Sequence, residues 1–403
     1  MPSRRIFIQR AGILAGVSVL PSFTKPLVAG RTSSLAEDTR NQLLVPVGKI
    51  YLNTGSLGPS PRAVVDAVTS AMHKLESDPA SENWGKLGDQ IDIVRQKVAD
   101  FIHADLEEII LTRNTTEGLG LISQSLPLNA GDEIITTTLE HGGGEVGLEF
   151  LQKTKGAVLK KVALPLPPER ATEIVSVIEK AITPKTRLVM VSHVNTVTGV
   201  LMPLAEISRL TSVRGIYLVA DGAQAPGQVP VDVKALGVDA YACSGHKWLL
   251  GPKETGFLYL RRGFQPSAQP VFTASGYEGY SKSSGTRNVA TIIGLGAALD
   301  WLSAIGMDRI REHSLKVRTH CMAGLKSVKG IEVISPENPS LATGMVSFSL
   351  ANVKNSTVHS LLKDQNIIIK VLPQHNAIRI SCHVFVSEKD IDTFLTALKK
   401  CVA

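Results

Sequence analysis

Seven short apolar runs, separated by helix-like segments, constrain this chain more than any other feature. They fall at 109–112, 133–137, 157–162, 188–192, 216–220, 240–243 and 256–260. Several are apolar almost throughout rather than alternating, which is the pattern of strands covered on both faces. Segments 171–182 and 204–213 repeat apolar residues at helical spacing. This βαβ rhythm predicts an α/β fold with a mainly parallel seven-stranded sheet under helices.

Upstream, Ser60 and Pro61 read as the N-cap and first residue of a helix whose stripe is Val64, Val65, Val68, Met72 and Leu75. A second helix is expected over 87–103. From about residue 291 the pattern changes. A long helical stretch at 292–328 precedes strand-like runs at 344–350, 367–371 and 377–381. Ser387-Glu388-Lys389-Asp390 has the form of a capping box opening a terminal helix. The expected organisation is a segment 37–62 that contributes to the substrate site, a large domain 63–290 and a smaller C-terminal α+β domain 291–403.

The chain has 403 residues, 43% of them apolar, enough for a large core. Its net charge of +7 is unevenly placed. Arg4, Arg5, Arg10, Lys25 and Arg31 lie in residues 1–36 with no acid, which leaves +2 for the remainder. So nearly neutral a body, with no basic run interleaved with aromatics, argues against a nucleic-acid partner. Beyond the N-terminus no uncharged apolar run is long enough for a membrane span. Ser3-Arg4-Arg5-Ile6-Phe7-Ile8 ahead of the mild apolar stretch 11–20 reads as a twin-arginine export signal over 1–36. Cleavage is expected after Ala29 or Ala36, and the mature protein is expected in the periplasm or outside the cell, delivered by the twin-arginine machinery. The four cysteines, Cys243, Cys321, Cys382 and Cys401, show no metal or redox spacing, and no metal is expected.

Four features lie near strand ends, where open α/β sheets bind ligands. Asn114-Thr115-Thr116-Glu117 follows a strand and opens a helix. Its free N–H groups and hydroxyls suit a phosphate, although the same residues also make an ordinary N-cap. Glu140-His141-Gly142-Gly143 places a ring at a loop tip where it can stack on a flat cofactor. Asp221, closing an apolar strand, needs a cationic or hydrogen-bonding partner. A protonated pyridine nitrogen is such a partner, and Gln224 can donate to a neighbouring ring hydroxyl. Lys247 sits in apolar surroundings, which depress its pKa and make its amine a nucleophile toward an aldehyde. Ser244 and His246 flank it as phosphate contacts. No Gly-x-Gly-x-x-Gly follows the first strand, so a nicotinamide enzyme is not indicated.

With Asp221-x-x-Gln224 and Ser244-x-His246-Lys247 in place, residues 50–400 resemble the class V aminotransferase family of fold-type I enzymes that use pyridoxal 5′-phosphate (PLP). The resemblance implies a PLP-dependent enzyme acting at the α-carbon of an amino acid or amino-acid-containing peptide. Lys247 matches the Schiff-base lysine, Asp221 the ring-nitrogen partner, Gln224 the ring-hydroxyl contact and His141 the stacking position. Thr115, Thr116, Ser244 and His246 match phosphate contacts. Asn195 or Thr196 matches a residue near the ring hydroxyl. Gly285-Thr286-Arg287-Asn288 is similar to the segment that reaches a neighbouring subunit's phosphate, which implies a homodimer. Arg379 matches the arginine that grips the substrate carboxylate, and Asn53 lies in the N-terminal substrate segment. The segments 53–58 and 112–117 are most similar to the isopenicillin N epimerase-like branch. Aminotransferase and C–S lyase chemistry are the alternatives. Cysteine desulfurases of the family carry a cysteine shortly before the arginine strand, and the stretch 369–376 has none.

Overall fold

The computed structural model describes residues 34–268, 280–281 and 284–402. The twin-arginine motif and both expected cleavage positions lie outside the described residues. The strands in chain order are β1 (Ile50–Tyr51), β2 (Ile109–Thr112), β3 (Glu133–Thr137), β4 (Val158–Val162), β5 (Thr186–Ser192), β6 (Tyr217–Asp221), β7 (Ala240–Ser244), β8 (Gly256–Leu260), β9 (Ile331–Val333), β10 (Met345–Leu350), β11 (Ile367–Ile368), β12 (Lys370–Leu372) and β13 (Ala377–Ser381). The helices are α1 (Leu35–Arg40), α2 (Arg62–Ser77), α3 (Pro79–Asn83), α4 (Gln90–Phe101), α5 (Thr115–Ser125), α6 (Gly142–Lys155), α7 (Ala171–Ala181), α8 (Leu204–Ser212), α9 (Val233–Leu236), α10 (Val289–Ile305), α11 (Met307–Lys326), α12 (Asn355–Asp364) and α13 (Glu388–Val402).

The large sheet has seven strands in the order β2-β8-β7-β6-β5-β3-β4. β4, β3, β5, β6 and β7 run parallel, and β8 runs antiparallel between β7 and β2. β2, β6, β7 and β8 are buried almost end to end, as strands covered on both faces must be. The switch in strand order between β5 and β3 leaves the carboxyl ends of β3, β5, β6 and β7 side by side, the place where such sheets bind ligands.

A four-stranded antiparallel sheet, β12-β13-β10-β9, carries the C-terminal part. A two-stranded parallel pair, Ile50↔Ile367 and Tyr51↔Ile368, ties the N-terminal segment to it. Three expectations shift. Pro61, not Ser60, is the N-cap of α2, and its helix begins at Arg62. The single stretch expected at 292–328 is two helices whose axes differ by 76°, because Gly306 takes φ +92°, outside the helical region. The run at 367–371 divides into β11 and β12, which pair with different strands. The terminal capping box forms with Asp390 as the acid: Ser387 N donates to Asp390 Oδ2 at 2.9 Å and Asp390 N to Ser387 Oγ at 3.1 Å. Among the described residues no single helix is long and apolar enough to cross a membrane.

Candidate active site

Asp221 is the last residue of β6 and only 7% exposed. Its Oδ1 accepts the Ala223 N–H at 2.8 Å. Its Oδ2 receives no hydrogen bond from any described residue and faces Gly144, where an added Cβ would lie 3.3 Å away. A carboxylate with so little solvent access is costly unless something outside the chain supplies a donor. Lys247 follows β7 on the turn Ser244-Gly245-His246 and is half-buried. Burial lowers its amine pKa; the nearby Asp221 carboxylate opposes the shift and Arg379 adds to it. The Lys247 amine forms no hydrogen bond or ion pair with the described residues, so it is available to an external electrophile. Gly58 packs on its backbone so closely that a Cβ there would sit 2.1 Å from Lys247 O.

The N-terminus of α5 supplies donors. Ser244 Oγ accepts the Thr115 N–H at 2.9 Å and lies 2.8 Å from Thr115 Oγ1. Thr116 is exposed, and its N–H has no partner among the described residues, because the N-cap Asn114 takes the Glu117 N–H at 2.8 Å instead. Gly143 lets the start of α6 approach it: a Cβ there would fall 2.5 Å from Thr116 Oγ1. His246 is half-buried, and burial pushes its imidazole down to about 4, with Lys247 and Lys253 adding to the effect. It is therefore neutral at pH 7 and serves as a hydrogen-bonding group rather than a cation.

His141 caps α6, and its Nδ1 accepts the Gly143 N–H at 3.0 Å. Burial and the Lys247 charge lower its pKa, so the ring is neutral with its proton on Nε2, and the residue is exposed. Before it stands Glu140, which sequence reasoning passed over. Thr137 Oγ1 donates to Glu140 Oε1 at 2.6 Å, and Ser192 donates to Oε2 through its N–H at 3.0 Å and its hydroxyl. Burial pushes this carboxyl up to about 7 against those hydrogen bonds, and the Asp221 charge pushes it further. The only signal in the sequence was an acid flanking the His141 tip.

Asn195 and Thr196 separate clearly. The Asn195 amide is consumed within the chain: Nδ2 donates to Leu139 O in the loop after β3, and Oδ1 accepts from Val197 N, Thr198 N and Thr198 Oγ1 of its own turn. Thr196 faces the cluster instead, its Oγ1 accepting from Gln224 Nε2 at 3.1 Å and Arg379 Nη1 at 2.9 Å. Gln224 Nε2 also donates to Gly55 O at 2.8 Å, and its Oε1 accepts from Trp248 Nε1 at 2.7 Å. Both amide hydrogens are thus committed within the chain, and donation to a ring hydroxyl requires one of these bonds to open.

Arg379, on β13, is 2% exposed. It donates to Thr196 O and Oγ1, both at 2.9 Å, and to Ser56 Oγ at 3.2 Å, while its Nε is buried without an acceptor. Among the described residues no carboxylate pairs with it, and burial pulls its pKa down to about 10. The Asn53 Oδ1 is likewise buried and unpartnered. Thr286 is exposed and forms no hydrogen bond with the described residues.

Residues 50–394 match the family described as aminotransferase class-V. The chain belongs to this family. It is 30% identical over 368 residues to a probable cysteine desulfurase of Methanothermobacter thermautotrophicus, covering 87% of this chain and 90% of that one. It is 29% identical over 386 residues to isopenicillin N epimerase of Streptomyces clavuligerus, covering 90% and 97%. Among solved structures, a variant of C-DES with glycine covalently linked to PLP superposes with a TM-score of 0.81 at 26% identity, covering 89% of this chain and 98% of that one.

As a member of the class V family the protein is a PLP-dependent enzyme. The residues fit that cofactor. The donor-free Asp221 Oδ2 suits a protonated pyridine nitrogen, the unpaired Lys247 amine suits an aldehyde, and the free N–H at the α5 N-terminus suits a phosphate.

Proposed function

We propose that the enzyme makes and breaks the C–H bond at the α-carbon of an amino acid, or of the amino-acid end of a peptide, with epimerisation as the outcome. PLP, when bound, draws electrons from the α-carbon and so eases loss of a group there. The chain's own residues do the rest. Lys247, its pKa lowered by burial, holds the cofactor and then carries the α-proton. Asp221 keeps the ring nitrogen protonated, and the exposed His141 limits ring tilt by stacking. Arg379 orients the substrate by its carboxylate.

The observation that carries this reading is that Lys247, Asp221 and Arg379 share one site with no usable thiol. The stretch 369–376 lacks cysteine. Cys243, Cys321 and Cys382 are at most 1% exposed. Burial pushes the Cys243 thiol well up, away from the reactive thiolate. The resemblance to an epimerase over 90% of the chain supports proton transfer as the productive step.

The test is to incubate holoenzyme with a panel of amino acids in D₂O. Deuterium should enter the α-position with loss of optical purity, cysteine should release no sulfide, and borohydride should fix PLP to Lys247. Lys247→Ala should abolish exchange, and Asp221→Asn should cut it by roughly a hundredfold or more, the scale of general acid–base and electrostatic terms. Sulfide or keto-acid formation without α-exchange overturns the epimerase reading.

A further inference from the structure

Arg379 has a neighbour of the same sign. In the antiparallel pair β12–β13 the register sets Lys370 directly opposite Arg379, and Ser347 of β10 continues the row on the other side. Opposed residues in such a pair project from the same face with Cβ atoms about 4.5–5.5 Å apart, and like charges at that spacing destabilise the sheet. Arg379 reaches the site through Thr196 and Gly55, and Lys370, its opposed neighbour, shares its face of the small sheet.

Among the described residues no anion pairs with either cation. Arg379 spends its donors on Thr196 and Ser56, and its Nε has no acceptor. Lys370 is half-buried, and its amine forms no hydrogen bond or ion pair with the described residues. Nearby acids have other partners: Glu140 accepts from Thr137 and Ser192, and Asp221 Oδ1 accepts from Ala223. The turn 373–376 that joins the two strands holds no acid.

We propose that this pair of cations selects a substrate with two carboxylates, an acidic amino acid or an acidic amino-acid end of a larger molecule. The inference rests on the α-carbon reading above. Arg379 takes the α-carboxylate in its planar fork. Lys370, a point charge on a flexible stem, takes the second carboxylate over a range of side-chain lengths. A neutral amino acid leaves Lys370 facing Arg379 without a counter-ion.

The experiment titrates holoenzyme with aspartate, glutamate and 2-aminoadipate, and with asparagine, glutamine and norleucine, following the cofactor absorbance. At least one acid should bind about tenfold or more tightly than its neutral counterpart, the lower end of what a hydrogen bond between charged groups contributes. Lys370→Gln should bring that ratio toward one, and Lys370→Arg should retain it. Equal affinities for acids and amides, or a ratio unchanged in Lys370→Gln, overturn this inference and leave the α-carbon reading standing. If no amino acid of either class perturbs the cofactor, the α-carbon reading falls and this inference with it.

Discussion

At the residue scale the site is governed by groups whose needs the chain leaves unmet. Arg379 is the clearest, and Gly55 decides its position. A Cβ at Gly55 would lie 2.9 Å from Arg379 Nη2 and 3.1 Å from Gln224 Oε1. Gly55→Ala should therefore push the guanidinium aside, raising substrate KM while leaving PLP content near that of the wild type. Steady-state kinetics with an absorbance count of bound PLP checks this; unchanged KM would mean the guanidinium relaxes freely. Arg379→Ala should raise KM roughly tenfold to a hundredfold, the value of a hydrogen bond to a charged group. Lysine should rescue little, since it lacks the fork. The placement of Asp221 at the end of β6 and of Lys247 just after β7 was legible in the sequence, because a charge at or beside the end of an apolar strand has few bland explanations. The commitment of Gln224 was not: its partners Gly55 and Thr196 lie 169 and 28 residues away, and no local pattern encodes them.

At the scale of elements, the apolar runs marked all seven large-sheet strands; for β2, β6, β7 and β8 the cause is cover on both faces, whereas β4 is a partly exposed edge strand with two lysines. Other features escaped. β1 and β11 are two residues each, too short for any periodicity. The bend at Gly306 was hidden because the apolar pattern continues through it. The Glu140 clamp was hidden for a different reason. It joins the loop after β3 to the end of β5, and its charge state follows from burial beside Asp221. Its folded pKa of about 7 stands above the ordinary 4.5. An acid raised in this way adds stability that is fully present below 4.5 and lost as pH rises through 7. Glu140→Gln removes the ionisation. Urea unfolding of holoenzyme at pH 5 and pH 8.5 should show the variant gaining on the wild type as pH rises, by at most about 1.4 kcal/mol for each unit crossed. Parallel stability curves would mean that Glu140 ionises normally in the fold.

At the scale of the whole molecule, the last question is whether one chain completes the site. Thr286 projects into solvent from Gly285-Thr286-Arg287-Asn288, while Arg287 is anchored by Nη1 donating to Leu111 O at 3.1 Å and Ser284 Oγ at 2.9 Å. Gly285 takes φ +79°, a left-handed turn that only glycine adopts without strain and that presents Thr286 outward. A hydroxyl held out by an anchored turn, with no partner among the described residues of its own chain, suits an acceptor on a second copy. The proposal is a homodimer in which Thr286 reaches the phosphate of the partner's cofactor. Thr286→Ala alone should weaken PLP retention, read as faster cofactor loss on dialysis, and leave the acid-to-amide preference of substrate binding in place. Mixed dimers decide the geometry. One chain carries Lys247→Ala and the other Thr286→Ala. If Thr286 acts across the interface, both defects fall in one site and the other site is whole. Borohydride should then fix PLP at one site per dimer with wild-type retention. If Thr286 acts within its own chain, each site carries one defect and no site retains PLP normally. A fully active monomer in sedimentation and single-turnover assays would remove the shared site altogether.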